Sequence, residues 1–180
     1  MEVTVHDARA AAGFRDDVLR VWNAVFGPVA EADAWRAEVW DRHRGRADYR
    51  LGTAHDDRGR LVGFSWGYTG QRGQFWPDAV VEKLGAAVEG WVGGHFEFVE
   101  LAVLPDARRQ GAGGALHDAV LAGLPHDRAL LGTSPDPEDP AVRLFRSRGW
   151  HHLGLLRPDA QVMGRRASPA QSSDAVGLPE

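Results

Sequence analysis

The sequence of 180 residues contains no cysteine and only one lysine, Lys83. The lack of cysteine excludes disulfide bonds, thiolate metal ligands and a cysteine nucleophile, and it favours a cytoplasmic protein. No apolar run reaches the length of a membrane-spanning helix, so no membrane association is expected. The opening residues, MEVTVHDARA, lack the basic and apolar regions of a signal peptide.

Composition is that of a soluble globular protein, with 43% hydrophobic and 26% charged residues. A net charge of −4 argues against nucleic acid as a partner and mildly favours a cationic ligand. The histidines show no metal-ligand spacing, so we expect no metal site. Residues 1–166 are predicted to form a single domain. The stretch from Ala167 to Glu180 is rich in Ser, Pro and Ala without periodicity and is predicted to be a disordered tail.

Hydrophobic periodicity predicts alternating strands and helices. The predicted strands are Glu2–His6, Tyr49–His55, Leu61–Tyr68, Phe96–Leu104, Ala129–Gly132, Trp150–Leu156 and Gln161–Arg165. The predicted helices are Asp7–Phe26, Glu31–Arg44, Pro77–Trp91, Gly111–Leu124 and Pro140–Arg148, the last capped by Asp139 and ended by Gly149. We summarise the order as βαα-βββ-α-β-α-ββ, which predicts an α/β fold with a mixed sheet and helices on both faces.

The segment LPDARRQGAGGALH, Leu104–His117, leads from a strand through a glycine-rich turn into a helix. Such a turn aims unpaired backbone N–H groups and the positive end of a helix at one point, as an anion requires. Taken alone, a solvated turn with incidental arginines is an equally good interpretation. A P-loop is excluded because Gly113-Gly114-Ala115 lacks its Lys-Ser/Thr pair, and a dinucleotide fingerprint is excluded because Leu116 occupies its last glycine position.

The loop nevertheless fits the pattern V-x-P-x-x-R-x-x-G-x-G, and a second segment, AVRLFRSRGW, follows at Ala141–Trp150. The first pattern is carried by Val103, Pro105, Arg108, Gly111 and Gly113. Together the two segments resemble the signatures of the GNAT superfamily of acyl-CoA-dependent N-acetyltransferases. The resemblance covers roughly residues 2–166, and its specific motifs lie in about 97–150. It implies a mostly antiparallel central sheet and acetyl-CoA as the acyl donor. A homodimer would be an ordinary assembly for such a protein.

The resemblance also implies which residues contact the coenzyme. Backbone amides of the loop would bind the pyrophosphate, and main-chain groups of a splayed strand would pair with the pantetheine arm. By position the loop residues are Arg108, Arg109, Gln110, Gly111, Ala112, Gly113 and Gly114, and the strand residues are Leu101, Ala102 and Val103.

Two glutamates on the same strand, Glu97 and Glu100, are the first candidates for the proton acceptor that an amine nucleophile needs. Their separation of three residues predicts that the two side chains point to opposite faces of the sheet. We favour Glu100 slightly, because it lies nearer the expected thioester. Either one is equally explained as a strand-edge carboxylate paired with an arginine. His95 is a third candidate, although a lone histidine at the start of a strand is more often structural.

The second motif departs from the family at two positions. Phe145 occupies the coenzyme-contacting position at which family members commonly carry a tyrosine that protonates the departing thiolate. A phenyl ring has no proton to give, so Tyr49 or Tyr68 would have to replace it, and we favour Tyr68. Glu138 occupies the place of an asparagine that contacts pantetheine.

The segment Gly63–Trp91 is expected to decide the identity of the acceptor. It carries five aromatic residues, Trp66, Tyr68, Phe75, Trp76 and Trp91, together with Asp78, Glu82 and Glu89. Aromatic faces beside carboxylates suit an organic cation. For most of these aromatic residues, anchoring an additional helix on the sheet is the better interpretation.

From sequence, therefore, we expect an enzyme that transfers acetyl from acetyl-CoA to a primary amine of a small molecule by direct attack in a ternary complex. Two alternatives stay open: an acyl-CoA-binding sensor without turnover, which Phe145 favours, and an acetyltransferase acting on protein N-termini or lysines.

Overall fold

The computed structural model describes residues 1–166, so the tail expected at 167–180 lies outside the described residues. The strands of this part of the chain are β1 (Glu2–His6), β2 (Arg50–His55), β3 (Leu61–Gly70), β4 (His95–Val103), β5 (Arg128–Thr133), β6 (His151–Arg157) and β7 (Ala160–Arg166). They form one sheet in the order β1-β2-β3-β4-β5-β7-β6. Neighbouring strands are antiparallel except β4 and β5, which are parallel. The predicted mixed, mostly antiparallel sheet is confirmed.

The helices are α1 (Ala8–Ala11), α2 (Arg15–Phe26), α3 (Ala32–Trp35), α4 (Arg42–Arg44), α5 (Phe75–Leu84), α6 (Ala112–Leu121) and α7 (Pro140–Ser147). Short 3₁₀ turns lie at Ala12–Phe14, Gly85–Val88 and Pro105–Ala107, and a π-helical turn at Arg36–Asp41 joins α3 to α4. The predicted caps of α7 are confirmed: the Asp139 carboxylate accepts from the Ala141 N–H at 2.8 Å, and Gly149 has a φ of 80°.

Helix α5 interrupts the run of three strands in the predicted order, because it lies between β3 and β4. It corresponds to the helix predicted at Pro77–Trp91 but begins two residues earlier and ends at Leu84. The helix ends there because Gly85 adopts a positive φ of 51°, which an L-residue rarely adopts, and its N–H turns back to the Val81 carbonyl.

Successive residues of β3 show how the sheet separates two helical layers. The rings of Phe64 and Trp66 stack on Trp22 of α2, with centroids 6.5 and 5.8 Å away. Ser65, between them, points to the other face, where its hydroxyl donates to the Leu116 carbonyl of α6. Helices therefore cover both faces of the sheet.

Candidate functional site

The glycine-rich loop presents an array of backbone donors at the start of α6. Gly111 caps this helix in the left-handed conformation (φ 86°), and the first intrahelical bond runs from the Ala115 N–H to the Gly111 carbonyl at 3.0 Å. The N–H groups of the first turn are consequently left without intrahelical acceptors. Arg109 also has a positive φ, of 64°, which is uncommon for a residue with a side chain. Unpaired N–H groups at the start of a helix are able to bind an anion.

Two side chains of the loop donate hydrogen bonds to nearby backbone carbonyls. The Arg108 guanidinium donates through Nε to the Val103 carbonyl at 3.0 Å, and the Gln110 amide donates to the Asp106 carbonyl at 3.2 Å. Both side chains are exposed, so the remaining Arg108 N–H groups are available to an anion at the rim.

Gly113 and Gly114, at the start of α6, differ in what an added Cβ would meet. A Cβ on Gly114 would clash with the guanidinium of Arg148, which pairs with the Asp118 carboxylate, so this side chain would have to move. A Cβ on Gly113 would meet only ordinary contacts, the nearest being Leu144 at 3.6 Å. Gly113 is thus a position where a side chain can test ligand binding without disrupting the fold.

Strands β4 and β5 part from each other midway along their length. Their register contains only two pairs, Phe96 with Ala129 and Glu97 with Leu130. Beyond Glu97 the two strands diverge, although β4 continues to Val103 and stays paired with β3 on its other side. On the side away from β3, Leu101, Ala102 and Val103 therefore have no partner strand, although the Val103 carbonyl accepts from Arg108. The predicted splaying of this strand is confirmed.

A β-bulge sits where the strands part. Trp66 pairs with Glu100 while the next residue, Gly67, pairs with Phe98, which leaves Val99 as the extra residue on β4. Paired residues share a face, and Tyr68 pairs with Glu97. Glu97 and Glu100 consequently lie on the same face, that of Trp66 and Tyr68. The expectation of opposite faces is wrong, because it assumed uninterrupted alternation and the bulge shifts it by one residue.

Both glutamates border a cavity of about 340 Å³, which we call the central cleft. Its walls are formed by β3, β4 and β5 on the sheet, the first turn of α5, and α4 with the turn that follows it. The lining residues are Arg42, His43, Arg46, Tyr68, Gln74, Phe75, Trp76, Pro77, Glu97, Phe98, Val99, Glu100 and Gly132.

Glu97 is 5% exposed and pairs with the Tyr68 hydroxyl, which donates to Oε1 at 3.2 Å. Its second oxygen, Oε2, is buried and has no hydrogen-bond partner within residues 1–166. Burial raises the pKa of Glu97 to about 7, against the opposing effects of the Tyr68 hydrogen bond and the Arg46 charge. The pKa of Tyr68 is also raised, chiefly by burial and then by the neighbouring Glu97.

Glu100 lies half-buried at the bulge, and burial alone raises the pKa of its carboxyl to about 8. Two carboxyls with pKa values near neutrality therefore face one cleft. A carboxyl whose pKa is close to the working pH can both accept and return a proton, which is the property of a general acid–base group.

Arg42, His43 and Arg46 form the opposite wall, and they are not among the residues singled out from the sequence. Burial, together with the charges of Arg46 and Arg42, lowers the pKa of His43 to about 4, so its imidazole is neutral at pH 7. Its ring lies 5.3 Å from that of Tyr68. The only local signal for this wall is the basic run RHRGR at the end of a predicted helix, whose position opposite β4 depends on tertiary packing.

The aromatic residues of Gly63–Trp91 are divided between the cleft and the core. Phe75 is 91% exposed at the rim, and Trp76 packs close to Gly132, while Tyr68 lines the sheet wall. Trp66 is buried under α2, and Trp91 packs on the far strands with the Arg166 guanidinium 4.5 Å from its ring.

Phe145, Tyr49 and His95 are all buried and do not line the cleft. Phe145 is 5% exposed, and its ring centroid lies about 6 Å from those of Phe98 and Trp150 (5.9 and 6.0 Å). The His95 Nδ1 accepts from the Gly93 N–H, and burial lowers the pKa of this histidine to about 4. Glu138 is exposed and forms an ion pair with Arg143.

Within residues 1–166, no helix combines the length and apolar character needed to cross a bilayer. The same residues contain no group of three or more His, Cys, Asp or Glu side chains arranged to hold a metal ion.

The splayed strands, the amide-rich loop and the cleft at the bulge are the features of an acyltransferase fold, and comparison with known proteins agrees. The profile of the acetyltransferase (GNAT) family matches residues 15–150, so the chain belongs to this family. A GCN5-like protein acetyltransferase of Mycobacterium tuberculosis is 34% identical over an alignment of 120 residues, which covers 58% of this chain and 58% of that protein. The chain thus spans a little over half the length of this curated relative.

Solved structures share the fold at low sequence identity. The ribosomal-protein-S18-alanine N-acetyltransferase of Escherichia coli has a TM-score of 0.61 at 14% identity, covering 96% of this chain and 98% of that one. A phosphinothricin acetyltransferase of Sinorhizobium meliloti, in complex with acetyl-CoA, has a TM-score of 0.62 at 16% identity, covering 96% and 95%.

Proposed function

We propose that the protein transfers an acetyl group from acetyl-CoA to a primary amine of a small-molecule acceptor, by direct attack in a ternary complex. The observation that carries this proposal is the bulge at Val99, which brings Glu97 and Glu100 together at the point where β4 leaves β5. From these carboxyls β4 runs on to the loop that opens α6. One strand thereby links an anion site to two groups suited to proton transfer.

The loop from Arg108 to Gly114 would hold the pyrophosphate through backbone amides, and Leu101, Ala102 and Val103 would offer main-chain groups to the pantetheine arm. The unpaired first turn of α6 fits such a group. Bound acetyl-CoA supplies an activated thioester carbonyl. The family pattern also assigns Phe145 to the coenzyme-binding region. Contact between this residue and the coenzyme stays a prediction.

We assign the general base to Glu100, with Glu97 beside it. An acceptor amine arrives protonated, and an ionised carboxylate takes one proton so that the nitrogen lone pair is free. Transfer then forms a C–N bond, breaks the C–S bond, and moves a second proton from the amine to the departing sulfur. Because a pKa of about 8 for Glu100 lies close to the ordinary thiol value, the protonated carboxyl is well matched to protonate that sulfur.

This assignment leaves Tyr68 as a positioning residue. Burial and the Glu97 charge raise its pKa, so its hydroxyl is a poorer proton donor to a thiolate than a carboxyl is. Its hydrogen bond instead orients Glu97 and favours the ionised form of that carboxyl. Because the Glu100 carboxyl protonates the sulfur in this mechanism, no other tyrosine has to take the role that Phe145 cannot fill.

The proposal is tested first at the loop. Gly113→Leu combined with Arg108→Gln should weaken binding of coenzyme A, measured calorimetrically, by at least about tenfold, since it fills the approach to the amides and removes a charge. Gly13→Ala is the control, because nothing lies within 4 Å of the added Cβ at that position. Unchanged affinity in the double variant would contradict the loop assignment.

A protein acetyltransferase is the second candidate. It is favoured by the curated relative, whose name describes a protein acetyltransferase, and by the exposure of Phe75 at the cleft rim. Incubation with acetyl-CoA and a peptide library carrying free N-termini or free lysines tests it by mass spectrometry. Acetylation of peptides in preference to small amines would replace the first candidate by the second.

A further inference from the structure

We propose that the acceptor carries a carboxylate beside the amine that is acetylated, and that Arg46 binds this carboxylate. The inference rests on the proposed function, because it assumes that the amine is presented to Glu97 and Glu100. It defines the substrate class as amino acids and related amino-carboxylates, rather than simple amines or polyamines.

The first observation is that Arg46 has no ion-pair partner within residues 1–166. The two neighbouring arginines have carboxylate partners: Arg42, on the same wall, pairs with Glu38, and Arg44, which does not line the cleft, pairs with Asp41. Arg46 is half-buried, and its Nε is buried with no hydrogen-bond partner in the described part of the chain. A guanidinium withdrawn from water without a counter-charge is costly, and a ligand carboxylate removes that cost.

The second observation is the separation of charge across the cleft. Carboxyls occupy the sheet wall, and the cation lies on the opposite wall. Arg46 is close enough for its charge to lower the pKa of both Glu97 and Tyr68. A ligand with an amine at one end and a carboxylate at the other meets the opposite charge at each end, whereas a diamine would bring a second cation toward Arg46.

The third observation concerns His43, which lines the same wall as Arg42 and Arg46. Its pKa of about 4 leaves the ring neutral at pH 7, so it cannot supply the charge that a carboxylate needs. Its Nδ1 is buried and lacks a hydrogen-bond partner in the described residues. Arg46 is therefore the group that supplies charge.

A different role for Arg46 would be to lower the pKa of the Glu97 carboxyl without contacting the acceptor. In that case Arg46→Gln would raise the pKa of Glu97 and shift the pH profile for every acceptor alike. Binding of a substrate carboxylate instead predicts a loss confined to acceptors that carry one. The two roles are separated by comparing acceptors that differ only in that group.

The experiment uses matched acceptors, tyrosine with tyramine, phenylalanine with phenethylamine, and arginine with agmatine, and measures kcat/KM by thiol release. In at least one pair we expect the amino acid to be preferred by about tenfold or more. Arg46→Gln should reduce that preference to near unity, and Arg46→Lys should retain part of it. Arg42→Gln, on the same wall but paired with Glu38, should change the preference much less. Preference for the carboxylate-free member in every pair, or equal losses for both members, would overturn the inference.

A binding measurement separates this inference from the proposed function. The same acceptors are titrated calorimetrically into the protein saturated with coenzyme A, so that no turnover is needed. Binding of an amino acid that Arg46→Gln abolishes, without turnover of any amine, would support the carboxylate site and contradict the enzyme. Turnover of simple amines without any Arg46-dependent binding would support the enzyme and contradict the carboxylate site.

Discussion

Tyr68 and Glu97 lie opposite each other on β3 and β4, and the Tyr68 hydroxyl donates a hydrogen bond of 3.2 Å to the Glu97 carboxyl. The bond is made in the cleft, at the last residue of β4 that pairs with β5. It favours the ionised form of a carboxyl that burial otherwise keeps protonated.

Tyr68→Phe tests whether this hydroxyl positions Glu97 or gives up its own proton. We expect turnover to persist, while the limb of the pH profile belonging to Glu97 moves to higher pH, because the bond that lowers its pKa is gone. The measurement is kcat/KM against pH. A fall in kcat of a hundredfold or more at all pH values would instead identify Tyr68 as an obligatory proton donor.

The two raised pKa values predict how activity depends on pH. A general base must be ionised, so kcat/KM should rise with pH through the interval from about 7 to about 8 and then level off. Glu100→Gln should reduce kcat/KM by about a hundredfold or more and remove the upper part of this rise. Glu82→Gln, an exposed glutamate on α5, is the matched control and should leave the profile unchanged. A flat profile in the unmodified protein would contradict the assignment.

Glu97 should make the free energy of unfolding fall as pH rises, whereas activity should increase over the same range. Its folded pKa of about 7 lies above the ordinary 4.5, so its contribution is fully present below about pH 4.5 and is lost as pH rises through about 7. The Glu97→Gln variant lacks this titration. Its free energy of unfolding, relative to that of the parent, should therefore rise by about 3 kcal/mol from about pH 4 to about pH 9. Urea unfolding at both pH values measures this, with Glu82→Gln as the control. A difference that does not grow with pH would show that Glu97 is not held in its neutral form by burial.

Phe145→Tyr would restore the phenol that the family pattern leads one to expect. The ring is packed against Phe98 and Trp150 away from the cleft, so a hydroxyl there is predicted to lower the free energy of unfolding by about 1–3 kcal/mol unless it finds a partner. No gain in kcat is expected. A faster enzyme with unchanged stability would show that this ring reaches the coenzyme sulfur.

The sequence predicted the parts of the fold that depend on local chemistry. The strand Glu2–His6 and the Asp139 cap of α7 are confirmed to the residue, and the start of α6 is placed within one residue. The glycine-rich segment leads from a strand into a helix, as predicted. Each of these features follows from residues that are close together in the chain.

The cleft was predicted less well, because it depends on register and packing. The bulge at Val99 has no local signal in the sequence FEFVELAV, yet it places both glutamates on one face. Arg46 likewise gains its significance only from lying opposite β4 without an ion-pair partner in residues 1–166.

Amine-dependent release of coenzyme A is the most direct measurement of the central claim. Purified protein is given acetyl-CoA and a panel of amines and amino acids, with free thiol followed in time and the acetylated acceptor identified by mass spectrometry. We predict release that requires an amine and that is lost when Glu97→Gln and Glu100→Gln are combined, in a variant that still binds coenzyme A. Tight binding of coenzyme A with no amine-dependent release would contradict the claim and identify an acyl-CoA-binding protein without turnover.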